Sequence, residues 1–443
     1  MLHRLLQTVA NIRREEVGVV LWACGYFFCL LCAYYILRPL REEIGLAGGV
    51  RNLPWLYLCT LGAMLVLAPV FAALVSRFPR RIFVPVAYRF LILNLLGFYA
   101  AFRLLPETDR VTLGRVFYVW ISVFNLFVVS VFWSVMADGF ALEQSKRLFG
   151  IIAVGGTLGA LAGAALTGNL VERVGRINLI LFSVVLLEAA VWCVWHVRRR
   201  FDRQPLGARV LDAPPRVRAA DARRQPQARP AGGAFDGILR TIRSPYLLAV
   251  CAYLFLYPLT STFVYFEQAN IVDAAFGDDR AAKVQLFAQI DFWVNALTLV
   301  LQTLLAGRLI SRLGVGLGLT LLPAVTVAGF VALAFAPVLG VLVVFQVLRR
   351  AGNYGITRPA RETLFTVIPR ADKYKAKNFI DTFVYRGADA VGAWTFGTFS
   401  AIGLGLAGIA LVAAPLALVW GAAGLFLSAY QRRLAVRAAP ATA

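Results

Sequence analysis

Acidic residues and histidine are scarce in this chain. Its 443 residues hold 23 Asp and Glu against 45 Lys and Arg, and only 2 His. The histidines, His3 and His196, and the cysteines, Cys24, Cys29, Cys32, Cys59, Cys193 and Cys251, show no metal-ligand spacing, so no metal site is expected. All six cysteines fall inside apolar runs, as buried reduced thiols do, and both histidines flank such runs, where an interfacial role fits better than a catalytic one. The glycine-rich "AVGGTLGALAG" (153–163) lacks the GK[ST] ending of a phosphate loop. The opening "MLHRLLQTVANIRREE" lacks a small-residue cleavage site, so the first apolar run is expected to be retained. With no catalytic constellation present, neither an enzyme nor a cofactor is expected.

What the chain does have is apolar length. Hydrophobic residues make up 60% of it and charged residues 15%, and the mean hydropathy is +0.72. These values predict an all-α polytopic membrane protein. Runs of about 20 apolar residues, enough to cross a hydrocarbon core of about 30 Å, recur about twelve times between Gly18 and Tyr430. They include Gly18–Leu37, Ile82–Phe102, Gly114–Met136, Ile177–His196, Tyr246–Phe266, Gln285–Ala306, Val338–Ile356 and Asn378–Ala401. In a soluble protein a net charge of +22 would point to nucleic acid, but here the placement of the charge decides, and no nucleic-acid partner is expected. Basic residues crowd alternate loops, at Arg13/Arg14, Arg77/Arg80/Arg81, Lys146/Arg147, Arg308/Arg312, Arg370/Lys373/Lys375/Lys377 and Arg432/Arg433/Arg437. The positive-inside bias then predicts both termini in the cytoplasm.

Between His196 and Ser244 the composition turns to Arg, Pro and Ala, as in a disordered cytoplasmic linker that could attract anionic lipid headgroups. Its end, "FDGILRTIRSPYLL", regains helical spacing, as a short interfacial helix would. The expected organisation is therefore an N-terminal six-helix half (1–196), a basic linker (197–245) and a C-terminal six-helix half (246–443). The halves echo each other: "LVSRFPRR" (74–81) matches "LISRLGVG" (309–316), and "SKRLFGIIAVGGTLGA" (145–160) matches "AKNFIDTFVYRGADAV" (376–391). Offsets of about 230 to 235 residues predict a duplicated six-helix unit. Parallel repeats of that size are the major facilitator architecture.

Charges that no loop explains mark the candidate site, because an ionisable group deep in hydrocarbon costs several kcal/mol unless it faces protein or water. Arg89 lies in the third span, Arg349 and Arg350 in the middle of the tenth, and Arg386 and Asp389 one turn apart in the eleventh, with Asp381 and Tyr385 on the Asp389 face. Glu188 is near the middle of the sixth span; Glu267 and Asp291 sit nearer the outer side of the seventh and eighth. A mid-span Arg–Asp pair reads equally as an internal salt bridge or as a cavity-facing pair. Paired mid-span guanidiniums favour an anion, because their planar fork fits phosphate or carboxylate. Gly155, Gly159 and Gly163 form a small-residue stripe that lets helices approach closely.

The stretch "RRAGNYGITRPARETLFTVIPRADKYKAKNFIDTFVYRGADAVGAW" (349–394) resembles the ATP/ADP translocase family, the nucleotide carriers of plastids and bacteria. The likeness rests on Arg350, Tyr354, Pro359, Arg361–Glu362, Lys375–Ala376–Lys377, Ile380–Asp381 and Arg386. "YYILRPLREE" is similar to that family's first-span end, with Arg38, Arg41 and Glu42 on family positions, and "ADGFALEQSKRLFGIIAVGG" (137–156) to its fourth-to-fifth loop. Where nucleotide-exchanging members carry a lysine after the first span, this chain has Arg41. Where they carry an acid in the fourth span, it has only Ser122 and Asn125, and beside the eleventh-span lysine position it has Asp389.

The mid-span charges predict a secondary transporter of the bacterial inner membrane in which Arg89, Arg349, Arg350 and Arg386 hold an anionic substrate; the resemblance implies a nucleotide or phosphorylated one and places Arg38 and Arg41 by the outer mouth of its route. Glu188, Asp381 and Asp389 would couple or gate. A proton-coupled porter of a non-nucleotide is the variant reading that the departures favour. The alternative class is a non-transporting scaffold that acts through the basic linker. For Arg38 alone the plain reading is an interfacial anchor that snorkels from a helix ended by Pro39.

Overall fold

A computed structural model describes residues 13–78, 80–140, 142–203, 244–365, 368 and 380–438. Among them every regular element is helical. The first half contains α1 (Arg14–Ala47), a 3-10 turn (Val50–Asn52), α2 (Leu53–Arg77), α3 (Arg80–Leu104), α4 (Glu107–Gly139), α5 (Leu142–Val174) and α6 (Leu179–Arg203). Then come α7 (Pro245–Phe276), α8 (Arg280–Val300), a π turn (Leu301–Ala306), α9 (Gly307–Phe335) and α10 (Leu339–Gly352). A second π turn (Asn353–Thr357) carries α10 into α11 (Arg358–Thr363), and a third (Ile380–Val384) leads into α12 (Tyr385–Ala401), followed by α13 (Leu406–Ala438). The expected linker beyond Arg203, its interfacial helix and the basic loop with Arg370 to Lys377 lie outside the described residues.

Ten of these helices are long and apolar enough to cross a membrane. The two other expected spans are the charged ones. Helix α10 has 14 residues and ends on Arg349 and Arg350 before its π turn, and α12 has 17 residues. Charges and π turns break the apolar run there without ending the helical path. Two helix N-termini are capped as the sequence permits: at α1 the Arg13 N–H donates to Glu16 Oε2 at 3.0 Å, and at α7 the Leu247 N–H donates to Ser244 Oγ at 3.3 Å, with Pro245 in the first turn.

Backbone contacts divide the chain into two compact units. The first holds α1, α2 from Gly62 onward, α3 to α6, and Asp279–Phe292 with the start of α8. The second holds Val50–Leu61, α7, α8 from Trp293 onward, and α9 to α13. In the first unit α1 packs on α5 and α6, and α3 on α6; in the second α7 packs on α12 and α13, and α9 on α13. The first span of each half thus meets the fifth and sixth, and the third meets the sixth, a pairing that fits a duplicated unit.

The glycine stripe of α5 does what its spacing predicts. A Cβ at Gly155, Gly159 or Gly163 would stand 2.6, 2.2 or 2.5 Å from the carbonyl oxygens of Cys24, Phe28 and Cys32, so the two backbones touch at three successive turns. Around that seam Tyr26 and Tyr88 share a short hydrogen bond between their hydroxyls, and Phe27 stacks on Phe132 at 4.1 Å. In the second unit Trp420, Tyr253 and Phe365 form the fully buried core.

Candidate functional site

In the second unit a hydroxyl-bearing stretch of α7, "YPLTSTF" (257–263), follows an apolar first half of the helix. Arg349, in the last turn of α10, reaches into it and is 3% exposed. Its Nη2 donates to the Ser261 hydroxyl at 2.7 Å, the Thr260 hydroxyl at 3.3 Å and the Tyr257 carbonyl at 3.3 Å, while Nε donates to Thr326 Oγ1 of α9 at 3.3 Å. The guanidinium also lies over the Tyr257 ring, 5.4 Å from its centre. All of these partners are neutral. Tyr257 is fixed in turn: its hydroxyl accepts from Asn353 Nδ2 at 2.7 Å, and its ring packs near Tyr385 and Trp420 at 5.8 and 5.7 Å. Arg350, the next residue, is half-buried and points about 100° away around the helix.

Arg386 and Asp389 of α12 pair at 3.2 Å, and the Thr262 hydroxyl donates to the other Asp389 oxygen at 3.5 Å. Two of the sequence-predicted groups therefore meet within three residues of α7: the Arg349 cage at Thr260 and Ser261, and the Arg386–Asp389 pair at Thr262. Asp381 falls in the third π turn, its side chain outside the described part.

The remaining predicted residues belong to the first unit. At the end of α1, Arg38 Nη1 lies 3.0 Å from Asp291 Oδ1. Arg41 Nη2 lies 2.5 Å from Glu42 Oε1, its Nη1 donates to the Ser122 hydroxyl at 3.2 Å, and its guanidinium covers the Tyr118 ring at 4.9 Å. Glu43 is buried and accepts from Arg176 Nη1 at 2.8 and 2.9 Å, with Arg280 Nε at 3.7 Å. Beside it a cavity of about 160 Å³ is lined by Ile44, Glu107, Arg110, Arg176 and Arg280. Arg89 and Glu188, read from sequence as separate functions, pair at 3.5 Å with side chains 62% and 48% exposed. Among the described residues no cluster of three His, Cys, Asp or Glu could hold a metal ion.

Sequence reasoning found the arginines but not their neutral cradle. Thr260, Ser261 and Thr326 read as ordinary span residues, and only the density of hydroxyls in "LTST" could have marked them. Asp291 and Glu267 were visible as acids toward the outer side of the eighth and seventh spans, without any sign that one is paired and the other enclosed.

No family model and no curated protein matches the chain. Solved structures match along almost its whole length. A bacterial homologue of the iron transporter ferroportin, in an inward-facing state, superposes with a TM-score of 0.63 at 15% identity, over 94% of this chain and 98% of that one. The nucleoside transporter NupG gives 0.59 at 11% identity, over 92% and 99%. A bacterial homologue of the lysosomal transporter Spinster gives 0.58 at 12% identity, over 96% and 99%. At such identities the likeness establishes the fold, an all-α polytopic one of the major facilitator type.

Proposed function

We propose that the chain is a secondary transporter of a bacterial inner membrane, with both termini cytoplasmic, that moves a small anionic metabolite by alternating access between two six-helix halves. The observation that carries this reading is Arg349: a buried guanidinium whose hydrogen-bond partners are three hydroxyls and one carbonyl, none of them anionic. A buried cation without a counter-charge is costly, and an anionic substrate supplies one. Arg350 beside it adds charge of the same sign, and Arg386 offers a guanidinium that Asp389 holds until an anion competes for it. The named structural neighbours are transporters by description, which supports the reading.

The phosphorylated class is the first to test, because the 349–394 stretch resembles nucleotide carriers. The departures argue against ATP/ADP exchange itself. Arg41 stands where that family carries a lysine, the fourth span offers only Ser122 and Asn125 where it carries an acid, and Arg41 donates to the Ser122 hydroxyl at 3.2 Å instead of meeting a carboxylate on that span. The test is uptake of radiolabelled ATP, AMP and inorganic phosphate by purified protein in liposomes, with and without internal ADP and with a pH gradient applied separately. Uptake by the wild type that Arg349→Ala lowers at least tenfold supports the assignment. Wild-type rates and affinity in both Arg349→Ala and Arg350→Ala would sink it.

A further inference from the structure

Seven residues beyond Thr260 on α7, almost in line with it on the helix face, stands Glu267. The residue is 0% exposed, and among the described residues neither of its carboxyl oxygens has a hydrogen-bond partner. Its neighbours on that face, Phe263, Val264 and Ile271, are buried and apolar, and the adjacent Phe266 packs on Phe396 of α12 at 4.9 Å. The nearby amides bond to each other, Gln346 Nε2 donating to Gln268 Oε1 at 2.8 Å.

Among the described residues the charged groups on elements packed against α7 do not serve it; the side chain of Asp381, on the third π turn, lies outside them. Arg349 of α10 is spent on its hydroxyl cage, and Arg386 and Asp389 of α12 pair with each other. Arg51 of the 3-10 turn and Arg432 and Arg433 of α13 are exposed. Arg350 makes no hydrogen bond to either Glu267 oxygen, and the tyrosines that face this stretch, Tyr257 and Tyr385, make none either. An ionised carboxylate cannot persist in such surroundings, whereas a neutral acid leaves only an O–H donor and a carbonyl acceptor unpaired, at far lower cost.

We propose that Glu267 is a proton-binding site. It is the neutral acid in this conformation and releases its proton to water when a rearrangement of α7 uncovers it, the O–H bond breaking and the carboxylate remaining. A pH gradient acts on the chain through this residue. The neutral acid follows from the packing alone; its use as a coupling group rests on the transport reading.

Infrared difference spectroscopy of the purified protein in liposomes tests this without any substrate. At neutral pH the wild type is expected to show a protonated-carboxyl stretch that moves in D2O and is lost in Glu267→Gln, but is kept in Asp389→Asn. Glu267→Asp restores a carboxyl at the site and is expected to restore the band at a shifted position. Identical carboxyl regions in the wild type and Glu267→Gln overturn the proposal, as does absence of the band from Glu267→Asp. Because no anion is added, failure of the Arg349 assignment leaves this result standing, and a negative result here leaves the Arg349 assignment standing.

Discussion

Arg38 Nη1 stands 3.0 Å from Asp291 Oδ1, and the Asp291 side chain is 4% exposed. The arginine near the end of the first span is therefore bound inside the first unit, where Asp279–Phe292 joins α1, in place of the snorkelling anchor that its position allows. A buried pair of this kind adds little over an apolar one but is costly to break from one side. Asp291→Ala and Arg38→Ala should each lower stability by roughly 3–5 kcal/mol. The exchange Arg38→Asp with Asp291→Arg should recover part of the loss. Thermal unfolding of the purified variants in detergent measures all three, and additive single effects would show that the pair is not coupled.

Gly159 gives a packing prediction. An added methyl would stand 2.2 Å from the Phe28 carbonyl oxygen, closer than any real contact, so α1 and α5 must separate. Gly159→Ala should cost about 1–3 kcal/mol as an overpacked seam. Gly150→Ala, where nothing lies within 4 Å, should be neutral or slightly stabilising by helix propensity. Equal melting temperatures for the two variants would refute the seam.

Arg41 donates to Ser122 at 3.2 Å while also meeting Glu42. Placing a carboxylate at that hydroxyl would claim the guanidinium. Ser122→Glu should therefore weaken binding of any anion that touches Arg41, with Ser122→Ala close to wild type. An uptake affinity unchanged by Ser122→Glu takes Arg41 off the substrate route.

Asp389 holds Arg386 at 3.2 Å, and under the proposed transport function it competes there with an incoming anion. Asp389→Asn frees the guanidinium and should tighten the apparent affinity for the transported anion, and Arg386→Ala should loosen it; each tenfold change corresponds to about 1.4 kcal/mol. Concentration-dependent uptake reads both. Loosening by both variants would mean that the pair is needed intact.

Arg89 and Glu188 carry opposite expectations for function and for fold. Their pairing at 3.5 Å with 62% and 48% exposure makes them a weak structural element. Arg89→Gln should shift the melting temperature far less than Arg38→Ala. A large loss of uptake at unchanged stability would keep Arg89 among the substrate contacts.

Much of the fold was legible because its signals are local. Apolar runs of span length and the glycine stripe of α5 each report on one stretch of chain, and the helices follow them. The site was legible only in part. Arg349 and Arg386 stood out as charges without a loop, yet the hydroxyls that receive Arg349 come from two other helices, and hydroxyls inside a span carry no signal of direction. Pairings such as Arg38 with Asp291 and Arg89 with Glu188 join residues about 250 and 100 positions apart, and one sequence holds no record of which charges meet. The π turns beside Arg349 and Asp389 were equally hidden, since no residue pattern specifies them.

Those turns distribute slack unevenly along the chain. A π turn holds more residues than the α-helical turns on either side, and among the described residues all three, Leu301–Ala306, Asn353–Thr357 and Ile380–Val384, belong to the second unit. The first unit, clamped backbone to backbone along α1 and α5, has no such turn among its described residues. Length can be drawn in or given out next to Arg349 and Arg386 without breaking a helix, so the unit that carries these two arginines is also the one that can change its gauge.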